Sequence, residues 1–363
     1  MTPTLAERVL AGDPRAMARA ISTIENEDPA AVELLGTIFP RSGRAYLVGV
    51  TGPPGAGKST LVDRLVAQFR ARPSILRQTQ DRPEPSRGAT GSGRAGIKDT
   101  LMVSSSNHEP RQPSTVGVIA VDPTSPFTGG AVLGDRLRMQ MHAGDEGVFI
   151  RSMATRGHLG GLARATGDAA IVLDAAGKDI VIIETVGVGQ DEVDIVRTAD
   201  VSVVMLVPGT GDEVQALKAG IMEIADIFVV NKADREGADR LVAAVEANQS
   251  LQPLESGAWR PPIVKTVATT GTGVPELVEA VERFRAHSQS TQATRRRSRS
   301  EYRLRELVAH RFMTHLEQNI LKPGEFDAIV DRIAAREIDP YGAAEHLLQR
   351  VDLPRRHEVT KDR

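Results

Sequence analysis

Apolar positions along the chain fall into three regimes. Over residues 1–44, Leu5, Val9, Leu10, Met17, Ile21 and Ile24 recur at helical spacing, so this segment is predicted to be a helical extension. Gly12-Asp13-Pro14 breaks the pattern, and Pro14 suits the first position of the next helix. Residues 30–38 read as a further helix that ends near Pro40. From Ala45 to about Ala286 the pattern changes. Short Val/Ile-rich runs at 45–50, 116–121, 148–151, 180–184, 201–207, 227–230 and 263–267 alternate with helical patterns. Continuous apolarity suits strands buried on both faces of a mainly parallel sheet. The third regime starts after 287–300, HSQSTQATRRRSRS, which reads as a linker. Its basic run Arg295–Arg299 fits a solvated linker or a helix start. Tyr302, Leu304, Leu307, Val308, Phe312 and Leu316 then trace an amphipathic helix, followed by helices over 325–335 and 343–351. No internal repeat is visible.

One segment departs from this order. Residues 73–114 are rich in Pro, Ser, Gly, Arg and Gln and stand between the first helix and the second strand of the α/β region. Such connections usually take about 2–6 residues. The expectation is a flexible insertion in the 45–286 domain, with 287–363 as linker and C-terminal helical arm.

Composition narrows the classes of function. The chain has 363 residues, 40% hydrophobic and 25% charged, enough to bury a globular core. Aromatics at 3% leave little for a base-stacking surface, and a net charge of −2 gives no pull toward nucleic acid or an anionic membrane. No nucleic-acid or membrane partner is expected. Cysteine is absent, which removes disulfides, thiol nucleophiles and Cys-ligated metal sites. The first residues lack an apolar signal core, Glu7 and Asp13 argue against a transit peptide, and no apolar run approaches bilayer length. These features lead to the expectation of a cytoplasmic protein.

The chemistry begins at Gly52-Pro53-Pro54-Gly55-Ala56-Gly57-Lys58-Ser59, a full G-x-x-x-x-G-K-S/T motif between a strand and a helix. Glycines let backbone N–H groups converge on phosphate oxygens, and the next helix points its positive end there. Gly52, Pro54, Gly55, Ala56, Gly57, Lys58, Ser59 and Thr60 are the predicted phosphate site. Lys58 is expected to reach the β- and γ-phosphates and Ser59 to ligate Mg²⁺.

Asn231-Lys232-Ala233-Asp234 ends a buried strand in N-K-x-D. The Asp234 carboxylate can accept guanine N1–H and the 2-amino group, whereas adenine leaves it unpaired. Asn231 can reach the other edge of the base, and the Lys232 stem can cover its face. At the next strand end, Val267, Ala268 and Thr269 are placed to offer a backbone N–H to guanine O6. Asp122, Asp135 and Glu184 join Ser59 as candidate ligands for Mg²⁺, which prefers hard oxygen donors.

Glu184-Thr185-Val186-Gly187 stands where many GTPases carry D-x-x-G, so Gly187 is expected to sense the γ-phosphate through its N–H. Val188 follows it and cannot position water as a glutamine does; Gln190 is a weak substitute. The expectation is slow intrinsic hydrolysis that a partner accelerates. Residues 151–161 and 208–218 follow strands on the ligand side and read as switch segments, with His158 at a surface or interface.

VGVTGPPGAGKSTL, VIAVDPTSPFTGGAVLGDRLRM, FIRSMATRGHLGGL, IIETVGVGQDEVDI, PGTGDEVQALKAG and VVNKAD, in that order, resemble the methylmalonyl-CoA mutase-associated GTPases. These are bacterial relatives of the methylmalonic aciduria type A protein, a group also known as arginine/ornithine transport-system kinases. The resemblance spans about Leu5 to Leu353 apart from the insertion. It implies a P-loop GTPase of the class named for a third-motif glutamate, here Glu184, with GTP/GDP and Mg²⁺ as cofactors. It implies a homodimer with contacts from the C-terminal arm. It further implies a GTP-dependent chaperone for an adenosylcobalamin-dependent acyl-CoA mutase, gating cofactor loading and protecting or reactivating the mutase. Ser59, Asp122, Asp135 and Glu184 carry over as the Mg²⁺ environment, and Asp212, Glu213, Gln215 and Lys218 as part of a third switch.

Three other readings compete. A nickel-metallochaperone GTPase would be expected to carry Cys or His clusters, which this sequence lacks. A P-loop kinase acting on a transport-system protein can share Lys58 and Mg²⁺, but N-K-x-D and switch-like loops favour a timer. A protein that holds GTP without hydrolysing it fits poorly with intact Lys58, Ser59 and Glu184.

Overall fold

Side chains two apart on a strand face the same way, and here both faces meet apolar partners. In the computed structural model, which describes residues 2–72, 113–122, 140–142, 144–154, 161–185, 198–209, 221–251 and 257–351, the predicted runs form seven strands. They are β1 (Tyr46–Thr51), β2 (Val116–Asp122), β3 (Val148–Ala154), β4 (Ile180–Glu184), β5 (Val201–Leu206), β6 (Ile227–Asn231) and β7 (Ile263–Thr266). The order is β3-β2-β4-β1-β5-β6-β7, and every neighbouring pair is parallel.

Helices cover both faces, as parallel sheets require. Val48, Val50, Val116, Val118, Ile182, Val203 and Met205 pack on one side with α4 (Lys58–Ala71) and α8 (Val274–Ser288). Ile119, Val121, Val181 and Ile183 turn to the other side, against α5 (Gly161–Ala175). The same cluster takes in the N-terminal helices α1 (Leu5–Leu10), α2 (Pro14–Glu25) and α3 (Ala30–Ile38). Met17, Ile21 and Ile38 are fully buried in it, each contributing roughly 1.5–3 kcal/mol. The N-terminal helices therefore belong to the core of the sheet domain. Thr4 and Glu7 close a capping box on α1, and Asp13 caps α2 with Pro14 in its first turn. Val204, Leu206, Phe228 and Val230 pack with α7 (Ala238–Ser250); the one-turn α6 (Ile221–Ile224) precedes β6.

A row of aspartates lines the amino ends of the strands. Asp174, at the end of α5, accepts backbone N–H bonds from Gly43, Arg44 (3.1 Å) and Ala45 (2.9 Å) just before β1. Asp179 accepts from Thr115 N–H (2.7 Å), Asp200 from Leu47 N–H (2.9 Å) and Asp226 from Ser202 N–H (2.9 Å). Asp145 pairs with Arg70, whose guanidinium holds the carboxyl below its usual range.

The chain divides into two compact units, Met1–Ser290 and Thr291–Arg363. The expected linker over 287–300 is mostly helix: α8 runs to Ser288, and α9 spans Gln292–His315 after a short turn. The run lacks Gly and Pro, and arginine is a good helix former, so the polar pattern does not stop the helix. In the second unit, α10 (Glu325–Ala334) and α11 (Pro340–Arg350) surround Leu316, Leu321 and Leu347. Among the described residues no helix is long and apolar enough to cross a membrane. Most of the 73–114 segment lies outside the described residues.

Candidate nucleotide-binding site

The chain passes from β4 to β5 across β1, so connections depart to opposite sides at the carboxyl end of β1. Open α/β sheets bind ligands at such a point. The glycine-rich loop follows β1 there. Gly52 has φ +146°, and a Cβ on it would sit 2.4 Å from the Met205 carbonyl oxygen of β5. Gly57 has φ +90°, and a Cβ would meet Asn231 Nδ2 at 2.8 Å. Both positions need glycine because backbone conformation and space each exclude a side chain.

α4 starts at Lys58, so its first-turn N–H groups face the loop. Lys58 is buried, and its Nζ donates to Gly52 O (2.7 Å) and Pro53 O (3.1 Å). The loop's own carbonyls thus hold the ammonium that a phosphate would receive. Thr60 is half-buried in the same turn. Ser59 Oγ donates to Glu184 Oε1 at 2.6 Å, and the two residues are 8% and 4% exposed. Glu184 ends β4 in register with Val50 of β1, which explains how residues 125 apart in sequence meet. Next to them, Thr185 Oγ1 donates to Thr51 Oγ1 at 3.0 Å. A serine hydroxyl and a carboxylate are hard oxygen donors, and this pair fits a Mg²⁺ environment. Asp122 ends β2 two residues beyond Ala120, the register partner of Glu184.

The N-K-x-D segment ends β6. Both ends of the Asn231 amide bond within the protein, which leaves one of its two Nδ2 hydrogens outside these bonds. Nδ2 donates to Ala56 O (2.7 Å), and Oδ1 accepts from Thr266 Oγ1 (2.9 Å) and Ala268 N–H (3.1 Å). One buried side chain joins the phosphate loop to the Val267–Thr269 loop after β7. Lys232 adopts φ +56°, and its Nζ donates to Gly55 O at 2.8 Å. Its stem therefore runs toward the phosphate loop. Asp234 is exposed. Arg64 of α4 donates to the carbonyls of Ala268 and Thr269. Arg64 stands outside every motif, and although Thr51 and Thr185 each fall within one, no sequence signal marks their contact.

Arg151 of β3 bonds Ser22 Oγ (2.9 Å) and Glu25 of α2, so this start of an expected switch is tied to the N-terminal helices. Asp135, His158, Gly187, Val188, Gln190, Asp212, Glu213, Gln215 and Lys218 lie outside the described residues.

A family model described as methylmalonyl Co-A mutase-associated GTPase MeaB matches residues 17–76 and 82–320. The chain belongs to the MeaB family. Like that family it is a GTPase and binds guanine nucleotide. It is 47% identical to a candidate GTPase of Pyrococcus abyssi, covering 97% of each chain. It is 32% identical to the GTPase ArgK of Escherichia coli over 87% of each. A solved structure of an LAO/AO transport system kinase superposes with a TM-score of 0.63 at 23% identity, over 95% of each chain. That last likeness concerns the fold. The MeaB match crosses most of the 73–114 segment and runs through α9 to residue 320.

Proposed function

We propose that this MeaB-family GTPase is a nucleotide-timed chaperone for an adenosylcobalamin-dependent acyl-CoA mutase, methylmalonyl-CoA mutase first among them. The observation that carries the proposal is the match to a mutase-associated family over residues 17–76 and 82–320. In this reading GTP binding and hydrolysis gate cofactor loading and protect or reactivate the mutase. The GTP and GDP states must bind the mutase with different affinity, since without that difference no signal passes. A cytoplasmic, reducing setting belongs to the same reading and agrees with the absence of cysteine.

At the site, phosphate oxygens replace the Gly52 and Pro53 carbonyls on Lys58, which then offsets charge on the γ-phosphate as water attacks in line. Ser59 and Glu184, with Asp122 and Asp135, would hold Mg²⁺, which supplies further charge stabilisation there. Asp234 reads the guanine N1–H and 2-amino group, and Lys232 covers the base. Gly187 senses the γ-phosphate, and residues 212–218 pass that state to the mutase. The C-terminal unit serves as a homodimer arm. Leu304 and Val308, one turn apart on α9, are 62% and 58% exposed and supply an apolar face.

The test is GTP hydrolysis with and without purified mutases, apo and cobalamin-loaded, with ATP as control. Strong acceleration by one mutase, with ATP inert, is the expected outcome and names the client. No acceleration by any mutase, with phosphate appearing on a transport protein, would replace the chaperone by a kinase. Light scattering on the same sample should read twice the chain mass; a monomer would remove the dimer arm.

A further inference from the structure

Arg64 lies on α4 beyond the phosphate motif, yet it reaches the loop after β7. Its Nε donates to Ala268 O at 3.2 Å and its Nη2 to Thr269 O at 2.8 Å. A peptide unit is planar and trans, so its C=O and N–H point in opposite directions. The Ala268 carbonyl shares its unit with the Thr269 N–H. Holding that carbonyl therefore aims the Thr269 amide away from Arg64. The other amides of the loop are committed within the protein. Val267 N–H bonds Thr272 O (3.0 Å), Ala268 N–H bonds Asn231 Oδ1 (3.1 Å), and Thr270 and Gly271 N–H bond Val267 O at 3.1 and 2.9 Å. Thr269 N–H stands outside these bonds.

We propose that Arg64 is a positioning residue for base specificity, aiming the Thr269 N–H at the 6-oxo group of a purine. This rests on the guanine reading of the site. A 6-oxo group accepts the bond, whereas the 6-amino group of adenine sets donor against donor. The guanidinium fork fits the role, because two carbonyls must be held at a fixed separation. A charged donor on the Ala268 carbonyl also polarises the peptide unit, which strengthens the Thr269 N–H as a donor. Asn231 anchors the same loop to the phosphate loop through Ala56 O, so base and phosphate recognition share one frame.

The experiment measures affinity of the full chain and of Arg64→Ala and Arg64→Lys for four diphosphates, ADP among them as the test of the guanine reading. GDP is the reference, 6-thio-GDP changes the 6-oxo atom, and IDP lacks the 2-amino group that Asp234 reads. The parent should favour GDP over 6-thio-GDP by about tenfold, the size of one hydrogen bond. Arg64→Ala should reduce that ratio to about twofold, and Arg64→Lys should fall between, while the GDP-to-IDP ratio holds. The proposal is overturned if Arg64→Ala keeps the parent's GDP to 6-thio-GDP ratio. It is overturned equally if both ratios fall together, which marks a structural staple, or if the parent shows no preference at the 6-oxo atom. A parent that prefers ADP to GDP would instead sink the guanine reading itself.

Discussion

The two edges of the sheet carry similar polar residues and use them in opposite ways. At the amino edge, Asp174, Asp179, Asp200 and Asp226 accept bonds from backbone N–H groups of neighbouring segments. Those donors belong to the chain and stay put, so the carboxylates act as caps on strand starts. At the carboxyl edge, Lys58, Ser59, Glu184, Asn231 and Lys232 bond one another and the carbonyls of the phosphate loop. Some of these partners are ones a phosphate or cation can displace. The lesson is that a buried polar residue is functional where an incoming ligand can displace its partner, and structural where nothing enters to displace it.

The largest expected effect breaks the carboxyl edge. Lys58→Ala should slow GTP turnover by on the order of 100-fold or more, through loss of charge stabilisation at the γ-phosphate. Its melting temperature should move less than that of the amino-edge variant below. Turnover close to the parent's would remove Lys58 from the chemistry.

Next comes the amino edge. Asp174→Ala leaves the amides of Gly43, Arg44 and Ala45 without their acceptor. A loss on the order of 2–4 kcal/mol is expected in thermal or urea unfolding, with turnover per folded molecule retained. Lost turnover at an unchanged melting temperature would contradict the division between the edges.

The smallest effect lies in the second unit, where a surface pair repeats the amino-edge logic with less burial. Arg350 holds the Glu325 carboxyl down at about 2, against an ordinary 4.5, chiefly by a direct hydrogen bond (2.6 Å). In the unfolded chain Glu325 takes its proton near 4.5 and in the folded chain near 2. Its stabilisation is therefore complete above pH 4.5, declines as pH falls, and is gone below about 2. An NMR titration of the full chain should show the low midpoint, and Glu325→Gln should remove this pH dependence. A midpoint at the ordinary value would mean the pair does not persist in solution. Exposed pairs contribute little, which ranks this effect last.

Legibility followed the range of the interactions. Strand runs such as 180–184 and 227–230 were readable because burial on both faces writes itself as continuous apolar sequence. Pro14 and Asp13 announced the start of α2 by local geometry. Over 287–300 serine and arginine, common to linkers and to exposed helices, left linker and helix start both open, and the stretch is mostly helical where the two compact units divide. The packing of α1–α3 onto α5 and the sheet had no local signature, since an amphipathic helix shows an apolar face without naming its partner.

By itself the sequence determined the alternating α/β order, the phosphate loop, N-K-x-D and the family resemblance, since each is a pattern of adjacent residues with local physical cause. Only the tertiary structure decided which strands lie together, and with them the meeting of Ser59 with Glu184 across 125 residues. It alone turned Asn231 into a bridge between phosphate and base loops and brought Arg64 to a loop more than 200 residues away. Those contacts depend on strand order and register, which are set by the packing of the whole sheet domain.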